Sequence, residues 1–334
     1  MKFGSVDLDD AEGAVLAHSV AKADGRRLRK GRILTAADLV DLGQTGAQEV
    51  TVARLQADDV HEDAAAQALA DSFVPNPTAQ GLSLTKAFTG RVNLLATGPG
   101  VVELDVAAVE AVNQVDPMIT IATVPPYQQM HAGGMVATIK IISYAVPDAA
   151  LKKACRCALA ALRVSGPVLR SVSLIISEIP GGAGDKGWRA IADRVAAFGL
   201  SVPAPVMVPH DETAIAQALA VQEADLTLIL TGSATSDIED VAPSAVRRAG
   251  GQIDRFGMPV DPGNLLFTGN CNGRAVIGLP GCARAPALNG ADWVMARVIC
   301  GLKVTDADIS AMGVGGLLKE IPTRPQPRRA RTST

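Results

Sequence analysis

The chain has 334 residues, 48% hydrophobic and 19% charged, so it can bury a sizeable core over more than one structural unit and is not globally disordered. A net charge of −3 gives no general attraction to nucleic acid, and 3% aromatic residues supply few base-stacking platforms. Five cysteines, an odd number without a paired framework, suit a reducing cytoplasm; the stretch MKFGSVDLDD lacks a signal peptide's apolar core, and no apolar run is long enough to span a bilayer.

Residues 1–74 read as an α+β unit. Thr35 is placed to cap a helix that starts at Ala36, with Asp38 completing a capping box; Gly46 ends it, and Glu49–Val52 is a strand. Asp59, His61, Glu62 and Asp63 cluster next. A metal site is one reading; a negatively charged helix start, running on to about Phe73, is the favoured one. Pro75-Asn76-Pro77 breaks the chain. Residues 84–147 form a β-rich unit with strand-like pieces at Gly90–Leu95, Val101–Val106, Met118–Thr123 and Met135–Ser143. Lys86, Thr89 and Arg91 are candidates to face an anion, with a solvated edge as the default, and His131 reads as a turn residue. Leu151–Val164 reads as one helix, a link over 151–165; Cys155 and Cys157 on it read as small buried residues rather than zinc ligands.

From Val168 strands and helices alternate. Strand Val172–Ile176, the glycine-rich loop Ser177–Asp185 and helix Trp188–Phe198 (ended by Gly199) are followed by a proline-interrupted strand at Ser201–Val208 and helix Thr213–Val221. Strand Leu226–Leu230 and helix Val241–Ala249 come next. This pattern indicates a parallel sheet with crossover helices over 168–312, followed by a tail at 313–334. Ligands of such sheets sit beyond the carboxyl ends of the strands.

The loop after Leu230 is therefore the focus. Thr231-Gly232-Ser233 allows close backbone approach, and Asp237, Glu239 and Asp240 suit metal-assisted or hydroxyl-binding chemistry. The other reading is a polar loop in which Asp240 caps the next helix, with Pro243 in its first turn. The Ser177–Asp185 loop lacks a Walker A ending; Asp185 reads as an N-cap, and His210 as a residue at the start of a helix rather than a general base. Asn289, Trp293 and Arg297 fall at fourfold spacing on a later helix.

Thr231-Gly232-Ser233 followed by Asp240-Val241 and Pro243-Ser244-Ala245 resembles the signature loop of molybdopterin-binding domains, found in molybdopterin adenylyltransferase and molybdopterin molybdenumtransferase. Ser233 stands where a second glycine is usual. Gly257–Asn264 resembles the family's Lys-Pro-Gly-Lys-Pro segment, with Asp261 and Asn264 at the lysine positions, which removes two positive charges. Gly278-Leu279-Pro280-Gly281-Cys282-Ala283-Arg284 resembles Leu-Pro-Gly-Asn-Pro. With Gly313–Leu318 and Arg324–Arg328, the series resembles a bacterial subgroup in which this region precedes a molybdenum cofactor nucleotidyltransferase domain; the basic residues Arg328–Thr334 then read as a linker stub. The likeness extends over essentially the whole chain.

The resemblance implies an α/β fold: a carboxy-terminal three-layer parallel-sheet domain preceded by smaller α+β and β-rich units. It implies molybdopterin binding by Glu178, Asp185, Gly232, Ser233, Asp240, Pro262, Gly263, Asn264, Gly281, Cys282 and Arg284. A carboxylate suits the amino and ring N–H donors of a pterin, and an arginine suits a phosphate. The expected activity is binding of molybdopterin or its molybdenum form and its presentation to a partner, either a nucleotidyltransferase or a factor in molybdoenzyme maturation. One alternative is an adenylyl- or molybdenum-transferase using ATP, with Asp240 and Asp185 catalytic and Asp240 and Glu239 holding Mg2+. Another is a non-catalytic regulatory protein. Homo-oligomers are expected by resemblance alone, with neither nucleic acid nor membrane as a partner.

Overall fold

The computed structural model of the chain describes residues 1–318. The Arg324–Arg328 motif and the basic stub that follows it lie outside the described residues. The chain divides into two compact units, Met1–Gly98 with Val102–Ser165, and Pro99–Val101 with Gly166 onward. Among the described residues no helix is long and apolar enough to cross a membrane.

In the first unit, strands Lys2–Asp7, Glu49–Arg54 and Val15–Leu16 form an antiparallel sheet. Helix Ala36–Gly43 packs there through Leu42, over a core with Leu16, Leu34 and Val52. Thr35 and Asp38 close the capping box the sequence predicts. A second core lies between helix Glu62–Phe73 and an antiparallel sheet ordered Ile119–Thr123, Met135–Ile141, Arg91–Ala96, Leu82–Leu84. Leu69 and Phe73 from the helix meet Leu94, Ile139 and Ile141 from the strands. His61 caps that helix by accepting the Asp63 N–H, and Glu62 and Asp63 fall in its first turn, so these residues form a helix start; Asp59 lies on the preceding strand and pairs with the amino terminus.

Two local expectations are corrected. The strand expected at Val101–Val106 ends at Leu104, because Asp105 accepts the Ala108 N–H and caps helix Val106–Asn113. The helix expected over Leu151–Val164 runs from Asp148 to Ala158. Leu159 already leaves the helix at ψ 109°, Ala160 then takes a left-handed φ of 52°, and Leu162–Ser165 is a strand.

The second unit runs β1 (Val172–Glu178), α1 (Trp188–Ala196), β2 (Val206–Pro209), α2 (Glu212–Ala220), β3 (Leu226–Leu230), α3 (Val241–Arg248), β4 (Gln252–Phe256), β5 (Phe267–Cys271), β6 (Arg274–Leu279), α4 (Gly290–Ile299) and α5 (Asp306–Ala311). Its six strands lie in the order β2-β1-β3-β6-β5-β4. The first four are parallel; β5 runs antiparallel to both of its neighbours, so β4 points the same way as the first four. Both faces are covered. Leu226, Leu228 and Leu230 share a core with Ile191, Val195, Val294 and Ile299, whereas Ile229 packs with Ile215, Leu219, Ala245 and Val246. That alternation makes three layers, with α1, α4 and α5 on one face and α2 and α3 on the other, and explains why every residue of β3 is buried. The fold is α/β, as the strand and helix alternation predicts.

The amino ends of β1 and β3 are tied together by Asp225. Its Oδ2 accepts the N–H groups of Arg170 and Ser171 at 2.8 and 3.1 Å, and its own N–H donates to Ser171 Oγ. The Arg170 amide is the main reason its carboxyl lies below the usual carboxylate range. A lowered folded value means that the carboxylate stabilises the fold above its unfolded value, about 3.9, and that this contribution is lost as pH falls through the folded value. Thermal melts are therefore expected to show wild type above Asp225→Asn at pH 7, with the gap closing below about pH 4.

Candidate functional site

The sheet order reverses direction between β1 and β3, so the crevice beyond their carboxyl ends is where a ligand of this fold sits. Three connections converge there: 179–187 after β1, 231–240 after β3 and 280–289 after β6. Arg284 joins them. Its Nη1 donates to the carbonyls of Gly184 and Lys186, and its Nη2 to Thr231 O at 2.9 Å. Gly187, at φ 100°, makes the approach feasible, because a Cβ there would lie 2.8 Å from Arg284 Cα, Cβ and Cγ. Burial pushes the Arg284 guanidinium down from its usual value. No salt bridge to Arg284 forms among the described residues, so it holds an uncompensated positive charge at the crevice.

The turn after β3 lies directly on β1. A Cβ on Gly232 would be 2.8 Å from Ser177 O and 3.1 Å from Ile179 N, which leaves no space for a side chain. Thr231 Oγ1 donates to Ser233 O at 2.6 Å and pairs with Thr235 Oγ1, while Ser233 is exposed. Glu178 and Asp185 are also exposed, and neither carboxylate has a hydrogen-bond partner among the described residues. Asp185 does not cap α1. The N-cap is Gly187, and it is the Asp185 carbonyl that accepts the Trp188 N–H. The extra turn forms because Gly184 and Gly187 both take positive φ.

The acids after Ser233 are otherwise engaged. Asp240 caps α3, with Oδ1 accepting Val241 N–H and Oδ2 accepting Ser236 N–H at 2.7 and 2.9 Å. Pro243 follows in the first turn. Glu239 pairs with Arg247 at 2.6 Å, and Arg247 also donates to Ile238 O. In the structure Asp240 is a helix cap and Glu239 an exposed ion-pair partner of Arg247. Among the described residues no group of three histidine, cysteine or acidic side chains is placed to hold a metal ion.

Pro262, Gly263 and Asn264 gather at the start of α4. The Asp261–Pro262 peptide is cis, Pro262 O accepts Gly290 N–H at 2.8 Å, and a Cβ on Gly263 would lie 2.7 Å from Gly290 N. Asn264 O accepts Met258 N–H and its Nδ2 donates back to Met258 O, closing the loop on itself. Gly281, Cys282 and Arg284 share a short 3-10 turn in which Cys282 is half-buried. Asn289 precedes α4 instead of lying on it. It caps α4 in a capping box with Asp292, fully buried, and its Nδ2 has no partner among the described residues.

One organising residue carries no local sequence signal. Arg194 on α1 pairs with Asp292 on α4 and donates to the carbonyls of Ala190, Ala283, Ala285 and Ala287. It thus sets the course of the loop that carries Arg284. In sequence it is one basic residue on an amphipathic helix.

The comparisons fall on this unit. Residues 170–296 match a family described as "Probable molybdopterin binding domain". This domain spans β1 to α4 and includes all three crevice loops. Residues 5–54 match a domain of unknown function (DUF8806). No curated relative matches the chain. Among solved structures, a molybdopterin biosynthesis moea protein from Pyrococcus horikosii is 13% identical, covering 90% of this chain and 75% of that one, at a TM-score of 0.32. A moeA protein from Pyrococcus horikoshii OT3 is 10% identical, covering 90% and 76%, at 0.27. Superpositions this loose place no residue.

Proposed function

We propose that the second unit binds molybdopterin or its molybdenum form in molybdenum cofactor biosynthesis and presents it to a partner enzyme. The observation that carries this reading is an Arg284 charge without an ion-pair partner and two carboxylates, Glu178 and Asp185, without a hydrogen-bond partner among the described residues, around one crevice of a domain that matches the molybdopterin-binding family. Molybdopterin has the matching chemistry. Its phosphate suits the guanidinium, and its pterin amino and ring N–H groups suit carboxylate acceptors. Gly232, Ser233 and Gly281 line the approach with backbone. Asp240 shapes the loop through its cap, and Pro262, Gly263 and Asn264 brace the start of α4. Presentation is favoured over adenylyl or molybdenum transfer because Asp240 and Glu239 are engaged, and because Asp261 and Asn264 replace two lysines of the family pattern. The partner is a nucleotidyltransferase or a molybdoenzyme maturation factor.

Molybdopterin released from a molybdoenzyme is expected to bind wild type, with affinity lowered roughly 10- to 100-fold in Glu178→Gln or Asp185→Asn, the size of a hydrogen bond to a charged group. With Mg-ATP added, no adenylylated product is expected. An adenylylated product would establish the transferase instead, and failure of wild type to bind would refute the reading.

A further inference from the structure

Ser177 and His210 have no role in the site as described so far. Ser177 is the penultimate residue of β1 and is 1% exposed. Its Oγ accepts the Gly232 N–H at 3.2 Å and lies 2.9 Å from His210 Nδ1. A buried hydroxyl has one proton to place, and the amide already fills one of its acceptor positions. Among the described residues Nδ1 is the one acceptor the hydroxyl proton can reach, which makes the hydroxyl the donor and places the imidazole proton on Nε2. The His210 backbone is itself fixed, since its main-chain N–H donates to Glu178 O at 2.8 Å. It follows β2 directly and precedes Asp211, which caps α2. The chain of bonds from His210 through Ser177 to Gly232 thus links the carboxyl ends of β2, β1 and β3.

We infer that His210 is a positioning residue for the Thr231–Ser233 turn. It fixes the rotation of the Ser177 hydroxyl, and Ser177 fixes the plane of the Gly232 peptide. That plane sets where the next backbone N–H groups of the turn point. The contact is tight because Gly232 lies against the β1 backbone with no side chain between them. The consequence for affinity rests on the molybdopterin reading above; the consequence for the turn does not.

Two measurements separate these. In ligand-free protein, the amide resonances of 231–235 are expected to move in His210→Ala and Ser177→Ala and to return in His210→Asn, whose side-chain oxygen stands in for Nδ1 as the acceptor. Affinity for molybdopterin released from a molybdoenzyme is expected to fall about ten-fold in both alanine variants, or about 1.4 kcal/mol, and to recover in His210→Asn, with the melting temperature held. The wild-type imidazole is expected to show the Nε2–H tautomer. Unmoved turn resonances in His210→Ala, a failure of asparagine to restore them, or an Nδ1–H tautomer would overturn the inference. If wild type binds no molybdopterin, the proposed function falls, and the turn resonances alone decide the positioning role.

Discussion

Arg284→Met is expected to lower the stability of the second unit by about 2 kcal/mol and to reduce molybdopterin affinity at least 100-fold, the larger effect falling on binding. Two terms oppose each other in stability. The guanidinium donates to the carbonyls of Gly184, Lys186 and Thr231, and hydrogen bonds from a charged donor contribute roughly 1.5–3 kcal/mol each. Its burial without a carboxylate partner costs part of that, and methionine removes this cost. Binding has no such offset, because the loops after β1 and β3 lose their common tie and the crevice loses its positive charge. Arg284→Lys is not expected to restore binding, since one ammonium cannot reproduce a planar fork that reaches two loops. Gly187→Ala should move the same way while keeping the charge, because its Cβ would strike the Arg284 backbone. Urea unfolding and a binding titration on the three variants measure both terms. Wild-type affinity in Arg284→Met would remove Arg284 from the site.

The parts of this site legible in sequence are those fixed by near neighbours. Leu226–Leu230 stands where the apolar run places it, because a parallel strand covered on both faces must be apolar throughout. Thr35 with Asp38, and Asp240 ahead of Pro243, cap helices as their spacing requires, since a cap spans only one turn. Asp185 was misleading for the opposite reason. Two glycines at positive φ carry the chain past it before α1 starts, and the closeness of Arg284 that demands Gly187 comes from 97 residues away in sequence. Arg194 and the Ser177–His210 pair are likewise joined only by the sheet order, which no local pattern encodes. The helix expected to reach Val164 ends at Ala158, ahead of an extended Leu159 and a left-handed Ala160 that composition does not announce.

The same long-range logic makes Gly278 a sensitive backbone position of the sheet. In the β5–β6 register it lies opposite Phe267, and a Cβ built on it would sit inside the phenyl ring, against Cε1, Cδ1 and Cζ. The ring is 1% exposed and packs with Ile175, Ile229 and Val276, so it has nowhere to turn. Gly278→Ala is expected to cost about 3 kcal/mol, at the upper end for overpacking, and Phe267→Leu about 1–2 kcal/mol as a smaller side chain fills the space less well. The double variant should be more stable than the sum of the two predicts, because leucine leaves room for the new methyl group; a coupling of about 1–2 kcal/mol in a denaturant-based cycle would show it. Additive losses would mean that the ring is not what excludes a side chain at 278. The effect also reaches the crevice. Gly278 is followed by Leu279 and the Pro280–Asn289 loop, so a shift of β6 that relieves the ring is passed to the loop that holds Arg284 against Thr231. Gly278→Ala is therefore expected to weaken molybdopterin binding under conditions where the unit remains folded, and Phe267→Leu in the same chain to recover part of it.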